Sequence, residues 1–281
     1  MTSVVERSVR AAPDARTADV RPRRRRLGPG RAIPFGWLVG PVVLVGLWCL
    51  GSATGMLDER TLSAPWTVVE TGKQLIEDGK LQENILTSLH RALLGLFFGT
   101  VAGVVVAVLS GLSRVGEALI DGPVQIKRSI PTLALIPLLI LWFGIGEQMK
   151  VITIALGVFI PVYIHTHNGL RTIDARYVEL AETSDVSRGC FLRHVVLPGA
   201  MPGFLLGMRF AVTGALLALV VVEQFNATSG IGYMITLAKT YGQTDVIVVG
   251  LVVYGALGLL ADGAVRLVQR RALSWRRTLE S

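Results

Sequence analysis

Apolar residues in this chain gather in long runs, and polar residues are confined mostly to the stretches between them. Six runs stand out: 34–54, 90–112, 129–146, 151–170, 199–225 and 246–266. A run of about 20 apolar residues is the length that crosses a bilayer as a helix. In lipid only helices and closed barrels satisfy every backbone N–H and C=O. These runs are too long and too uniformly apolar for barrel strands. The pattern therefore predicts an all-α, polytopic membrane protein with six transmembrane helices. Composition agrees: 51% of residues are hydrophobic and only 17% charged, where a soluble domain carries roughly a quarter charged. Six buried helices of a soluble protein would lack the polar sequence to cover them.

Detail within the runs adds packing and bends. Gly95, Gly99, Gly103, Ala107 and Gly111 recur every four residues in the second run. That spacing puts small side chains on one stripe and lets another helix approach closely. Pro131 and Pro137 lie in the third run and Pro161 in the fourth, and proline frees backbone carbonyls and bends helices. Residues 55–85 carry mixed charge and predict a short surface helix outside the membrane. The polar insert 171–198 is long for a turn between spans. It reads as two short helical pieces, the first over 175–183 with Tyr177, Val178 and Ala181 on one side. Leu197–Pro198 ends the insert, and because the residue before proline avoids the helical region, the next span is expected to begin near 199–202.

Charge sets the sidedness. The chain has 28 Lys and Arg, of which twenty-one fall in the two ends, the connection after the second run and the insert after the fourth. Five fall in the other connections; Arg91 and Arg209 lie within runs. Positive charge concentrates on the cytoplasmic side, so both termini are expected in the cytoplasm, which requires an even number of spans. The organisation is then a disordered basic tail over 1–33, a membrane domain over 34–270 and a short cytoplasmic tail over 271–281. The tail, with Arg23 to Arg26 consecutive, suits anionic lipid, and no nucleic-acid partner is expected. Its extended basic region and the long run after it do not fit a cleaved signal. Cys49 and Cys190 are isolated in sequence, so no disulfide is expected.

Motifs of covalent chemistry are missing. There is no G-x-x-x-x-G-K-[ST] phosphate loop, no H-E-x-x-H and no G-x-S-x-G, so an enzyme is not expected. His165 and His167 are two apart on a helix, about 200° around, and cannot share a metal locally. Arg209 and Glu223 lie in the fifth run, fourteen residues apart, which is about 21 Å of helix rise on similar faces. An ionisable residue inside a span is a pathway candidate. The alternative is that each reaches the headgroups at its own interface. Asp262 and Arg266, at i and i+4, suit a local ion pair.

Residues 178–209 also carry a resemblance. Glu179-x-Ala181, then Leu197–Pro198 and Pro202, resemble the cytoplasmic-loop signature of the permease subunits of binding-protein-dependent ABC importers. The family's glycine, six residues after the glutamate, is Asp185 here; aspartate tolerates positive φ better than most residues. Ser88-Leu89-His90-Arg91, the stretch from Pro131 to Glu147, Ser229 to Tyr233 and Thr244-Asp245-Val246 are similar to the subfamily importing aliphatic sulfonates, taurine or nitrate. The resemblance implies a type I ABC importer permease fold and an ATP-driven import function for a small anion. It implies a homodimer of permease copies, two ATP-binding subunits and an extracytoplasmic solute-binding protein. Glu179, Ala181, Asp185, Leu197 and Pro198 would couple the loop to the ATPase, with Leu197–Pro198 as hinge and Glu179 fixing the loop through polar contacts. ATP and magnesium would sit in the partner, leaving no cofactor in this chain. A secondary transporter of a small anion, driven by an ion gradient, is the alternative. It predicts mid-membrane acidic residues and paired internal repeats, neither of which is seen.

Overall fold

The computed structural model describes residues 36–225 and 227–274. The basic tail 1–33 and residues 275–281 of the C-terminal tail lie outside the described residues. The chain divides into two units, the first ending at Gly46. Its described part is the apolar start of α1 (Gly36–Ala53), where Val42, Val43 and Leu44 are exposed.

The second unit begins at Leu47 and is helical, with no strand among its described residues. The predicted surface helix is α2 (Pro65–Glu77), started by a proline whose missing N–H costs nothing in a first turn. Then come α3 (Lys80–Gly111), α4 (Arg114–Ser129), α5 (Ile136–Phe143), α6 (Glu147–Arg171), α7 (Ala175–Thr183) and α8 (Arg188–Phe191). The last three are α9 (Leu197–Gln224), α10 (Ile231–Tyr241) and α11 (Thr244–Ala272). Four helical stretches are long and apolar enough to cross a membrane: α3, α6, the stretch Gly189–Gln224 that contains α9, and α11. A fifth arises if α4 and the helical stretch Thr132–Phe143 are joined across their 90° bend. The apolar stretch Leu38–Ala53 of α1 is shorter. Six uninterrupted spans are thus not what the helix lengths give.

The third run departs most from expectation. Instead of one helix over 129–146, the chain bends sharply after α4, passes through a 3-10 turn at Thr132–Leu135 and enters the eight-residue α5. Pro131 is the cause: Ile130 before it is extended at φ −94°, ψ 118°, as proline demands of its predecessor. Eight residues rise about 12 Å, too little to cross lipid alone. The stretch 114–128, read as a connection, is the helical arm α4, which packs Val124 against Ala107 and Tyr163; without its Lys127 and Arg128 the charge bias becomes nineteen to five and keeps its sign.

The core lies where α6 packs between α3 and α9, around Ile154, Val158, Val162, Ala211, Ala215 and Leu219. The glycine stripe of α3 makes this contact, as its spacing predicted: Gly99 faces the Ala155 carbonyl and Val158, and Gly103 faces Val162. On the other side of α6, Gly169 and Gly203 bring the α6 and α9 backbones into direct contact. Pro161 cannot donate to the Gly157 carbonyl, and that carbonyl lies against Gly214 of α9.

A second correction concerns Leu197–Pro198. The helix does not stop before the proline; it continues from Gly189 to Gln224. A single widened turn at Leu192–Val196 joins the insert to α9, and the Leu197 N–H bonds back to the Leu192 carbonyl, five residues earlier. A wider turn gives room to the Pro198 ring, which in a regular helix would press on the carbonyl four residues before it. The α10 helix was not foreseen at all. It follows Gly230 at φ 114° and ends on Gly242 in the left-handed region.

Candidate functional site

The insert 171–198 is folded rather than loose. The Asp174 carboxylate accepts from the Arg176 N–H at 3.0 Å, capping α7. At the other end of α7, Asp185 has φ 51°, and no other non-glycine described residue has positive φ. The Val186 N–H bonds to the Ala181 carbonyl and the Asp185 N–H to that of Glu182. This pair of bonds is the Schellman termination, whose left-handed residue is usually glycine. Asp185 therefore occupies the position where the family signature has glycine, and does so in the conformation glycine favours. Replacing it by glycine is expected to leave the fold intact, whereas Asp185→Val should destabilise the insert by about 1–2 kcal/mol. Limited proteolysis of the insert would read the difference.

On α7 the side chains of Tyr177, Val178 and Leu180 are exposed, followed by Val186. Ala181 is half-buried and Glu179 is exposed. Glu179 makes no side-chain hydrogen bond to any described residue. The α7 helix is thus folded and capped, with exposed apolar side chains beside an exposed carboxylate. After the break that follows α7 comes a 36-residue continuous helix, Gly189–Gln224.

A second cluster is buried at the opposite end of α9. Glu223 is 1% exposed. Its carboxylate accepts from Arg91 Nη1 at 2.8 Å, from the Gly232 N–H at 2.8 Å and from the Tyr254 hydroxyl at 2.9 Å. Ser88 Oγ donates to it at 2.7 Å and accepts from the Ile231 N–H at 2.9 Å. Arg91, 2% exposed, also holds Glu147 through Nε and Nη2, both at 2.6 Å, and the Ser229 carbonyl at 2.7 Å. Lys150 Nζ completes the set on Glu147 at 3.0 Å. The Gly230 backbone fits between these groups, where a Cβ would collide with the Glu223 carboxylate and the Arg91 guanidinium. Five helices, α3, α6, α9, α10 and α11, are thus tied at one point.

Glu223 is enclosed by protein, because α10 covers this end of α9 and Arg91 supplies its counter-charge from α3. Arg209, on a similar face of α9, lies beyond the reach of α10. It is about half exposed and pairs with Asp262 of α11 at 2.9 Å. Asp262 also holds Arg266 at 2.6 Å, the local pair that the sequence predicted. His165 stacks on Phe210 and His167 on Tyr163. The sequence reading missed Ser88, Arg91 and Tyr254 as partners of Glu223, and Glu147 as the second carboxylate on Arg91. The available signal was charge balance: an arginine inside a span needs a carboxylate, and Glu223 was in another span at the same end.

The comparisons with known proteins fit this architecture. Residues 99–274 match the family model described as binding-protein-dependent transport system inner membrane component. The chain is 39% identical, over 91% of its length and 93% of the relative's, to the putative aliphatic sulfonates transport permease protein SsuC of Bacillus subtilis strain 168. It is 43% identical to the protein of the same description from Escherichia coli strain K12, over 84% and 89% of the two chains. The taurine transport system permease protein TauC of Escherichia coli strain K12 is 32% identical over 83% of this chain and 86% of its own. Among solved structures, a chain of an amino acid ABC transporter determined with histidines superposes with a TM-score of 0.59 at 16% identity, covering 71% of this chain and 97% of that one. A chain of the inward-facing MetNI methionine ABC transporter gives 0.55 at 22% identity, covering 70% and 97%. The fold is that of ABC importer permeases, and these relatives are transport subunits rather than enzymes. The chain belongs to the family of inner membrane components of binding-protein-dependent transport systems.

Proposed function

We propose that this chain is the membrane-spanning subunit of an ATP-driven importer of a small sulfonate, either an aliphatic sulfonate or taurine, with nitrate as the inorganic member of the same anion class. Two copies form the path. Two ATP-binding subunits in the cytoplasm hold ATP and magnesium and grip the insert 171–198, and an extracytoplasmic solute-binding protein delivers the anion. Both termini lie in the cytoplasm. The relatives named for aliphatic sulfonates and taurine support the substrate class.

The observation that carries the coupling is α7 itself. Its capped ends hold an exposed apolar face beside Glu179, which has no side-chain partner among the described residues, and the continuous helix Gly189–Gln224 follows the insert into the membrane. Glu179 and Ala181 serve the ATPase contact, Asp185 sets the turn that presents them, and Leu197–Pro198 transmits movement through the widened turn. Rigid-body displacement of such an element is a known way of carrying a change across a fold. Arg209, exposed in the single chain, is our candidate for the path. Glu223 serves the path indirectly, by holding α10 against the bundle.

The test is reconstitution in liposomes with the ATPase and the binding protein, using radiolabelled ethanesulfonate. ATP-dependent uptake is expected. Replacing Glu179 by alanine together with Tyr177 by serine should lower uptake about tenfold or more, since interface anchors of this kind carry most of a docking energy. Uptake driven by an ion gradient without nucleotide would overturn the reading.

A further inference from the structure

The bend between α4 and the 3-10 turn places two cations where no carboxylate answers them. Lys127 Nζ donates to Thr132 Oγ1 at 2.9 Å and to the Leu156 carbonyl at 2.7 Å, both neutral acceptors. Arg128 beside it is exposed and has no hydrogen-bond or ion-pair partner among the described residues. The nearest acidic residue on α4, Asp121, is taken by the Tyr163 hydroxyl at 2.7 Å. Several other cations of the packed helices are matched by carboxylates: Arg91 with Glu147 and Glu223, Lys150 with Glu147, Arg209 and Arg266 with Asp262.

Depth makes the mismatch informative. Leu156 is nine residues inside α6, or about 13 Å from its start by helix rise, against a hydrocarbon core of about 30 Å. A charge at that depth is costly unless it faces a polar cavity or a partner. Broken helices near the midplane are also where transporters place their substrates, because only there can irregular backbone line a cavity. Lys127 and Arg128 sit at such a break, together with the hydroxyls of Ser129 and Thr132. Cations in the last turn of α4 also complement its carbonyl end. That role, however, needs only a helix terminus at the surface and does not explain placing it within the membrane.

We propose that the bend at residues 127–132 is an anion subsite on the translocation path, with Lys127 and Arg128 supplying positive charge and Thr132 orienting Lys127 toward a passing sulfonate. The proposal rests on the import function above and names the residues that select for its anionic cargo.

The experiment uses the full complex of permease, ATPase and binding protein in liposomes. Lys127→Gln with Arg128→Gln is expected to lower ethanesulfonate uptake about tenfold or more, the scale of losing hydrogen bonds to a charged group. ATP hydrolysis stimulated by the binding protein should stay within about twofold, and Lys127→Arg with Arg128→Lys should restore much of the uptake. In a second arm, Lys127→Cys is made in a chain whose Cys49 and Cys190 are serine. Ethanesulfonate should slow its modification by a negatively charged thiol reagent. Unchanged uptake by the double glutamine variant overturns the proposal, as does uptake lost together with ATP hydrolysis and not restored by the swapped basic pair. If the unsubstituted complex imports nothing, the import reading fails, and the protection arm still decides the subsite: protection supports it and free modification overturns it.

Discussion

Replacing Arg91 by methionine should destabilise the protein by about 3–5 kcal/mol, because it leaves a buried carboxylate without its counter-charge. Glu223 would keep the Ser88 hydroxyl, the Gly232 N–H and the Tyr254 hydroxyl, but none of these carries positive charge. Glu147 would lose both of its bonds to Arg91 and keep only Lys150. The reverse change, Glu223→Gln, should cost less. Arg91 would still have both Glu147 oxygens, and the glutamine carbonyl can accept one of the bonds that the carboxylate accepted. The double variant should be more stable than Arg91→Met alone, since the stranded charge is removed. Thermal unfolding of the purified protein in detergent, with the monodisperse fraction as a second reading, orders the three. If Arg91→Met unfolds at the same temperature as the parent, the cluster does not hold the five helices together.

That cluster also marks the limit of sequence reading. Most of its segments were visible: Ser88 to Arg91, the stretch ending at Glu147, and Ser229 to Tyr233 each carried the family resemblance, and Glu223 stood out as a charge in a span; Tyr254 did not. Their convergence was not visible, because helical periodicity fixes a face but not the depth at which two helices cross. Glu223 and Arg209 share a face by periodicity, yet one is sealed and the other open. The difference comes from α10, a helix that no apolar run announced. Where the pattern reported a backbone property directly, it served well. The four-residue glycine spacing predicted a close helix contact, which α6 makes, and the family resemblance implied a turn at Asp185, which is left-handed. Where proline was involved it did less well, because proline permits two outcomes. At Pro131 the chain breaks into a 90° bend, whereas at Pro198 a widened turn lets the helix run on. Lys127 to Ser129 precede Pro131, and Arg193 and His194 precede Pro198, so polar flanks do not tell the two apart and the neighbours in space decide between them.

The helix crossings should be the most sensitive positions to added volume. A Cβ at Gly203 would lie 2.5 Å from the His165 carbonyl oxygen and 2.9 Å from the Gly169 Cα. One at Gly99 would lie 2.5 Å from the Ala155 carbonyl oxygen. These are backbone atoms of α6, which cannot rotate aside as a side chain does, so α6 itself must move away. Its other face is packed too, so relief at one crossing presses on the other. Gly203→Val and Gly99→Val are therefore each expected to cost about 3 kcal/mol or more, at the upper end of overpacking in a dense core. The two together should exceed their sum, because both push on the same helix. Gly255→Ala in α11, where a Cβ meets nothing within 4 Å, should be neutral or slightly stabilising in helix propensity. Yield of folded protein in the membrane fraction and unfolding temperature in detergent separate the cases. A Gly203→Val protein as stable as Gly255→Ala would mean that α6 and α9 do not approach through these glycines, and the packing that links the α7 surface to the core would have to be redrawn.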